Sequence, residues 1–363
     1  MSKEKKLVPK LRFKKFEDIE AWQRYLLEEL VEVNNGKDYK RLEKGDIPVY
    51  GTGGYMTNVN AALSYEKDAI GIGRKGTIDK PYILKAPYWT VDTLFYAIPK
   101  FDSNINFFHG IFKNINWLAK QESTGVPSLS KSTINNIEIL IPTIQEQQEI
   151  GTFFKKIDEM IRLQQSKVNK VKDLKSAYLS EMFPKEGEKN PKKRFEGLKN
   201  NWNQAIFSDF LKTESFKKYI AKNDRNGMFP IIQQGDSPIE GYGDGTPYKN
   251  YDSVVLFGDH TLSLFRPVSP FLIASDGIKI LSSNKMDRDY LYYLLQRYMP
   301  ESEGYKRHYS ILKNKVINIT ENKEEQIKIG IFFKNLDKQI SIQEEKLAKL
   351  EKLKQAYLND MFV

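Results

Sequence analysis

Two stretches of this 363-residue chain each carry one apolar stripe, and the stripes match. The first runs Phe154, Ile157, Ile161, Gln164, Val168, Val171, Lys175, Tyr178, Met182. The second runs Phe333, Leu336, Ile340, Gln343, Leu347, Leu350, Lys354, Tyr357, Met361. Steps of three and four residues alternate, which is the period of a coiled-coil seam on a long helix. No proline falls between Thr143 and Met182, or after Glu321. The polar interruptions, Gln164 with Lys175 and Gln343 with Lys354, occupy the same two places. A polar seam residue lowers stability but fixes register and partner. The simplest expectation is that the two seams pair with each other. Packing of each stripe on its own globular domain is the alternative.

The match extends beyond the stripes. Glu146-Gln147, Ile150-Gly151, Phe153-Phe154-Lys155, Ala177-Tyr178-Leu179 and Met182-Phe183 recur as Glu325-Gln326, Ile329-Gly330, Phe332-Phe333-Lys334, Ala356-Tyr357-Leu358 and Met361-Phe362. A gapless repeat of this length implies duplication. Upstream, Pro9-Lys10-Leu11-Arg12-Phe13 and Trp22 open the first half, and Pro191-Lys192-Lys193-Arg194-Phe195 and Trp202 open the second. Short apolar runs read as strands in both halves: Ile47 to Gly51 with Phe229 to Ile232, and Asp68 to Gly73 with Ser253 to Gly258. The loops after them differ. The expected fold class is therefore α+β: two domains of mixed β-sheet and helices, separated by a long antiparallel two-helix coiled coil, with internal pseudo-two-fold duplication. The expected boundaries are 1–143, 144–186, 187–322 and 323–363, with a charged Pro- and Gly-containing linker from Pro184 to Pro191.

Composition narrows the chemistry. Cysteine is absent, which excludes disulfides, thiolate metal sites and cysteine nucleophiles. The three histidines, His109, His260 and His308, are too scattered to make a zinc cage. The Lys-rich start has no apolar core of a signal peptide, and no run is long enough to span a membrane, so a cytoplasmic protein is expected. The net charge of +10 and pI near 9.2 suit a polyanionic partner, although surface lysine alone gives the same value.

Gly71-Ile72-Gly73-Arg74-Lys75-Gly76 spells the dinucleotide fingerprint, but Thr77 to Leu84 reads as turn and strand rather than helix. The favoured reading is a tight turn presenting Arg74, Lys75 and Thr77 to DNA phosphates or bases, against a solvated hairpin tip. The polar loop carrying Lys120, Gln121, Ser123, Thr124, Ser128 and Lys131 offers amide, ammonium and hydroxyl groups of the same use. In the second half the corresponding candidates are His260 and Thr261, then Lys306, Arg307, His308 and Tyr309 in the loop 303–310, which includes Tyr305. Inert surface loops are the competing reading. No Walker A sequence, catalytic triad or adenine-methyltransferase Asn-Pro-Pro-Tyr motif occurs, and Asp276-Gly277-Ile278-Lys279 reads as structural. No catalytic or metal-ligating residue is expected.

The loop Ser123-Thr124-Gly125 to Leu129-Ser130, the following Ile141-Pro142 and Gln145-Glu146-Gln147-Gln148-Glu149-Ile150, and the helix ending Ala177-Tyr178-Leu179 to Met182-Phe183, with its echo to Phe362, resemble the specificity subunit of a Type I restriction-modification enzyme. The second half departs from the pattern. Tyr309-Ser310-Ile311-Leu312 replaces the Thr-Gly to Leu-Ser form, and Glu321 stands where Pro142 stood. The resemblance implies a non-catalytic subunit with two target recognition domains, each reading one half of an asymmetric bipartite site in double-stranded DNA. It implies docking of two adenine methyltransferase subunits, which use S-adenosylmethionine, and of motor-nuclease subunits, which use ATP and Mg²⁺. A helix from Gln145 to Met182 is roughly 55 Å long, enough to carry two readers to successive major grooves about 34–36 Å apart. A duplicated coiled-coil scaffold without sequence-specific DNA binding, and a self-sufficient nuclease or methyltransferase, are the competing classes.

Overall fold

The computed structural model describes residues 7–101, 103–185, 187–224, 226–304 and 306–363. The chain divides into two compact units, Met1–Gln165 with Glu345–Val363, and Ser166–Glu344.

The first unit opens with β1 (Gln23–Leu26), the one-turn α1 (Leu27–Leu30) and β2 (Val31–Asn35), followed by the hairpin β3 (Ile47–Gly51) and β4 (Gly54–Val59). Next come β5 (Ala69–Gly73), β6 (Tyr82–Leu84), β7 (Trp89–Thr90), β8 (Leu94–Pro99), α2 (Ile105–Asn114), α3 (Lys131–Asn135) and β9 (Glu138–Ile141). A four-stranded antiparallel sheet has the order β2-β8-β5-β6. A three-stranded sheet has the order β4-β3-β7, with β3 and β7 parallel, and β1 pairs with β9. All five residues of β5 are buried, so this strand reads as a continuous small and apolar run rather than an alternation. Asn104 caps α2, its Oδ1 accepting from Asn106 N at 2.9 Å. No helix follows β5, so the Gly71 to Gly76 turn lacks the helix N-terminus that a pyrophosphate site requires.

The second unit repeats this layout. It contains the strands β10 (Asn203–Ile206), β11 (Lys212–Thr213), β12 (Phe229–Ile232), β13 (Ile239–Gly243), β14 (Val254–Gly258), β15 (Leu264–Phe265), β16 (Leu272–Ile273), β17 (Ile278–Ser282) and β18 (Val316–Ile319). They form sheets ordered β11-β17-β14-β15, β13-β12-β16 and β10-β18, the same topology strand for strand. The helices numbered in chain order are α4 (Ile144–Glu181), α5 (Arg288–Arg297), α6 (Tyr309–Lys313) and α7 (Lys323–Met361). Asp287 caps α5 as Asn104 caps α2, accepting from Tyr290 N at 3.0 Å.

The start of α4 lies beside the end of α7 in the first unit. The ion pair of Asp158 with Lys354 and the edge-on contact of Phe153 with Tyr357, 4.9 Å between centroids, mark the pairing. In the second unit the end of α4 lies beside the start of α7, through Lys175–Asp337 at 2.6 Å, Lys172–Glu344 at 2.6 Å and Tyr178–Phe332 at 4.9 Å. Phe154, Ile157, Gln164, Val168, Phe333 and Leu336 are buried; Ile161, Val171, Tyr178, Ile340, Gln343, Leu347, Leu350 and Tyr357 are half-buried. Each fully buried apolar side chain contributes about 1.5–3 kcal/mol. The seam lysines are thus not exposed defects, because each reaches an aspartate on the facing helix.

Phe362 anchors the first core, with ring centroids 5.4 Å from Phe107, 5.6 Å from Phe154 and 6.3 Å from Trp22. Phe183 does the same in the second, at 5.9 Å from Tyr290, 6.0 Å from Phe333 and 6.0 Å from Trp202. The two opening motifs also have a physical role. Arg12 donates from Nε and Nη2 to the buried Glu146 carboxylate, both at 2.7 Å, and Arg194 grips Glu325 at 2.8 and 2.9 Å. The helical glycines leave room for the caps beside them. A Cβ on Gly151 would stand 2.2 Å from the Asn104 side chain, and one on Gly330 would stand 3.1 Å from Asp287 Oδ1.

Candidate nucleic-acid interface

In the first unit β5 ends at Gly73 and the chain turns sharply, with Gly76 at φ +95°, a conformation that glycine adopts without strain. Arg74 N donates to Thr93 O at 2.8 Å, which fixes the turn to the strand end of β8. The loop from Lys120 to Lys131 then lies against this turn. Leu129 N donates to Arg74 O at 2.9 Å, Gly76 N donates to Pro127 O at 2.8 Å, and Lys75 bridges Ser128 in antiparallel fashion. The two segments, distant in sequence, line one open groove of about 630 Å³ with Asn35 and Phe95.

Glu122 organises the loop from within. Its Oε1 accepts from the Thr133 hydroxyl, from Ser130 Oγ at 2.7 Å and from Ser130 N at 3.2 Å. Those hydrogen bonds, from Thr133 and Ser130 in that order, hold the carboxyl below its usual range. Ser130 in turn caps α3, accepting from Thr133 N at 3.0 Å. The acid is therefore spent on the loop's own hydroxyls. Among the described residues Arg74, Lys75, Lys120 and Lys131 have no acidic partner, and all four are exposed. Arg74 extends over Phe95, 5.8 Å from the ring centroid. The surface offers uncommitted cations, hydroxyls and an aromatic edge, which suits a phosphate backbone with base edges beside it.

The second unit builds the same junction from other residues. Asp259, the residue after β14, is buried and holds three segments at once. Its N donates to Gly277 O at 2.8 Å, its O accepts from His308 N at 2.9 Å, and its Oδ1 accepts from Tyr309 N at 2.8 Å. Lys279 Nζ lies 3.5 Å from Oδ2. His308 is fully buried. Its Nε2 accepts from Glu303 N at 3.0 Å, so the proton sits on Nδ1, which donates to Asp259 O at 3.1 Å. The cations here are committed: Lys306 pairs with Glu303 at 2.8 Å and Arg307 with Asp276 at 3.2 Å.

The sequence-predicted residues divide accordingly. Arg74, Lys75, Ser123, Ser128 and Lys131 line the groove; Gln121 and Thr124 are exposed on the same loop, and Lys120 is exposed at its start. Thr77 is half-buried beyond the turn. Thr261 is exposed, with its hydroxyl 2.9 Å from Ser263 Oγ, while His260 has Nδ1 3.2 Å from Lys306 O. Tyr309 is half-buried, its hydroxyl 2.6 Å from Thr213 Oγ1. His308 is a correction: burial and two saturated ring nitrogens make it a pin for the loop, not a surface contact. Tyr305 lies outside the described residues. Sequence reasoning missed Asp259 and Glu122 as organisers, since an acid next to cations signals neither burial nor partners. Among the described residues no group of histidines and acids could hold a metal, and no helix is long and apolar enough to cross a membrane.

Residues 19–173 match the family described as the Type I restriction modification DNA specificity domain. The chain is 23% identical over 286 residues to the MjaVIII specificity subunit of a Type I restriction enzyme from Methanocaldococcus jannaschii. That match covers 66% of this chain and 65% of the relative. In fold, the chain is similar to a Type I restriction-modification S subunit from M. genitalium, with TM-score 0.70, 14% identity, and 98% and 99% of the two chains covered. It is also similar to a chain from a structure of complex assembly and conformational transition in a Type I restriction-modification system, with TM-score 0.52, 17% identity, and coverage of 93% and 96%.

Proposed function

We propose that this chain, whose residues 19–173 match the Type I restriction modification DNA specificity domain, is the DNA-sequence-recognition subunit of a Type I restriction-modification complex. The observation that carries the reading is the groove of the first unit, where the Arg74–Lys75 turn and the 120–131 loop converge and line it with three unpaired cations, Arg74, Lys75 and Lys131. Each phosphate neutralised by such a side chain releases condensed counterions, which supplies affinity without sequence. Arginine, amide and hydroxyl groups at the same place then read base edges.

The second unit has the same junction with different side chains, so its half-site differs and the whole site is asymmetric and bipartite. The paired helices α4 and α7 are the spacer between the readers and the docking surface for two adenine methyltransferase subunits. Those subunits bring S-adenosylmethionine, and motor-nuclease subunits bring ATP and Mg²⁺; this chain contributes recognition and no catalytic group. A gel-shift of the chain alone and then with a methyltransferase partner tests the reading, followed by mapping of methylated adenines. Sequence-specific binding and methylation that require both proteins are expected. Methyl transfer by the chain alone, or a partner complex blind to DNA sequence, overturns it.

A further inference from the structure

Arg307 and Asp276 form an ion pair at 3.2 Å on the second unit, and both side chains stay mostly exposed, at 62% and 59%. The backbones beneath them are fixed. Gly277 O accepts from Asp259 N, and His308 is tied to Asp259 O through both its N–H and its ring. Lys279 Nζ donates to Asp276 O at 2.9 Å, which pins the other side of the turn. The two charged tips thus project together from segments locked on one buried residue.

A carboxylate on a surface that meets DNA is repelled by phosphates. Its direct contact with a base needs an amine hydrogen to accept, and in the major groove the amines are cytosine N4 and adenine N6. The guanidinium beside it matches the two acceptors of guanine, O6 and N7, in planar two-point geometry. One base pair displays both edges side by side. We propose that Arg307 and Asp276 read a G·C pair in the half-site of the second unit, Arg307 donating to guanine O6 and N7 and Asp276 accepting from cytosine N4. The assignment rests on the DNA-recognition function and names a base for it. Their mutual ion pair keeps both groups oriented before DNA arrives, which lowers the ordering cost of the contact. It also cancels most of their net charge, so the pair adds discrimination rather than general attraction.

The test uses the complex of the full chain with its methyltransferase partner, and duplexes substituted at each position of the mapped second half-site. Arg307→Ala is expected to lower affinity for the site about tenfold or more and to flatten the base preference at one G·C position. Arg307→Lys should behave alike at that position, because it keeps the charge but not the two-point geometry. Replacing that guanine with 7-deazaguanine should weaken the wild type and leave Arg307→Ala unchanged. Asp276→Ala should relax discrimination at the same pair while overall affinity holds or rises. Equal weakening on every sequence marks a phosphate contact and overturns the assignment, as do unchanged preferences in both alanine variants. If the wild-type complex reads the site and only the variants fail to respond, the assignment falls alone. A wild-type complex with no sequence preference removes the recognition function and the assignment together.

Discussion

Lys175 sits 2.6 Å from Asp337, joining the two long helices within the second unit at a seam position where the stripe calls for an apolar residue. Asp337 is shared: Arg266 Nη2 lies 3.1 Å away and the Tyr293 hydroxyl donates to it at 2.5 Å. Removing the acid strands the half-buried Lys175, while Arg266 keeps Asp289 at 3.0 Å; removing the lysine leaves the acid paired with Arg266. Asp337→Asn is therefore expected to cost about 2–4 kcal/mol, and Lys175→Met to be within about 1 kcal/mol of neutral. Denaturant melts of the two variants check the contrast; equal losses would mean that the network does not hold the charges as described.

Phe183 and Phe362 make matching contacts in different units, so their loss should be felt separately. Phe183→Ala or Phe362→Ala is expected to cost about 3–5 kcal/mol. Hydrogen exchange should show the protection lost in the unit that contains the substitution and largely retained in the other. Uniform loss across the chain would show that the two cores melt as one.

Arg74 and Lys75 should separate by kind of contact. Arg74→Ala is expected to weaken specific binding by about 1–3 kcal/mol if it reaches a base, and Lys75→Ala to reduce the salt slope by about one if it reaches phosphate. Both are measured by titration at several salt concentrations. Wild-type affinity and slope in both variants would return the turn to solvent.

His109 gives the first unit an acid sensitivity. Burial first, then the neighbouring Lys113, push its pKa down to about 4, with Lys354 adding to the effect; its hydrogen bond to Pro81 O and the charge of Asp158 oppose it. The unfolded chain takes up the proton near pH 6.5 and the folded chain only near 4. Stability is therefore full above about pH 6.5 and falls as pH drops toward 4, by about 3 kcal/mol. His109→Gln should flatten that part of the stability profile, read by denaturation at pH 7 and pH 4.5. An unchanged profile would place the sensitivity in other groups.

The sequence reveals repetition and period better than it reveals partners. The seams at Phe154 to Met182 and Phe333 to Met361 were legible because helical burial leaves a three-and-four spacing that needs no knowledge of the other helix. The strands around Ile47, Ala69 and Val254 were legible from apolar runs ending in glycine. The reach of Arg12 to Glu146 and of Arg194 to Glu325 was not, since each spans well over a hundred residues and only the fold brings the ends together. The Pro184 to Pro191 stretch read as a plain linker. Yet Pro184 O accepts from Tyr298 at 2.7 Å, and Phe183 just before it is buried, because tertiary packing decides where a polar segment is free. In the candidate site the turn and loop were found separately; their convergence on one groove depends on backbone pairs such as Leu129 with Arg74, which leave no mark in side-chain type.

The tail of α7 has a topological consequence. Leu11 N donates to Asp360 O at 2.8 Å, and Phe362 lies against Trp22. In the second unit Lys193 N donates to Glu181 O at 2.9 Å, and Phe183 lies against Trp202. The same joint is thus made twice, once between segments linked through a short covalent stretch and once between segments at opposite ends of the described chain. Hydrogen bonding and packing hold the joint of the first unit, where that of the second has a covalent tether as well. A chain reopened between 184 and 190 and spliced from Phe362 to Pro9 is expected to keep every one of these contacts, with the second unit in place of the first then assembled from two separate stretches of chain.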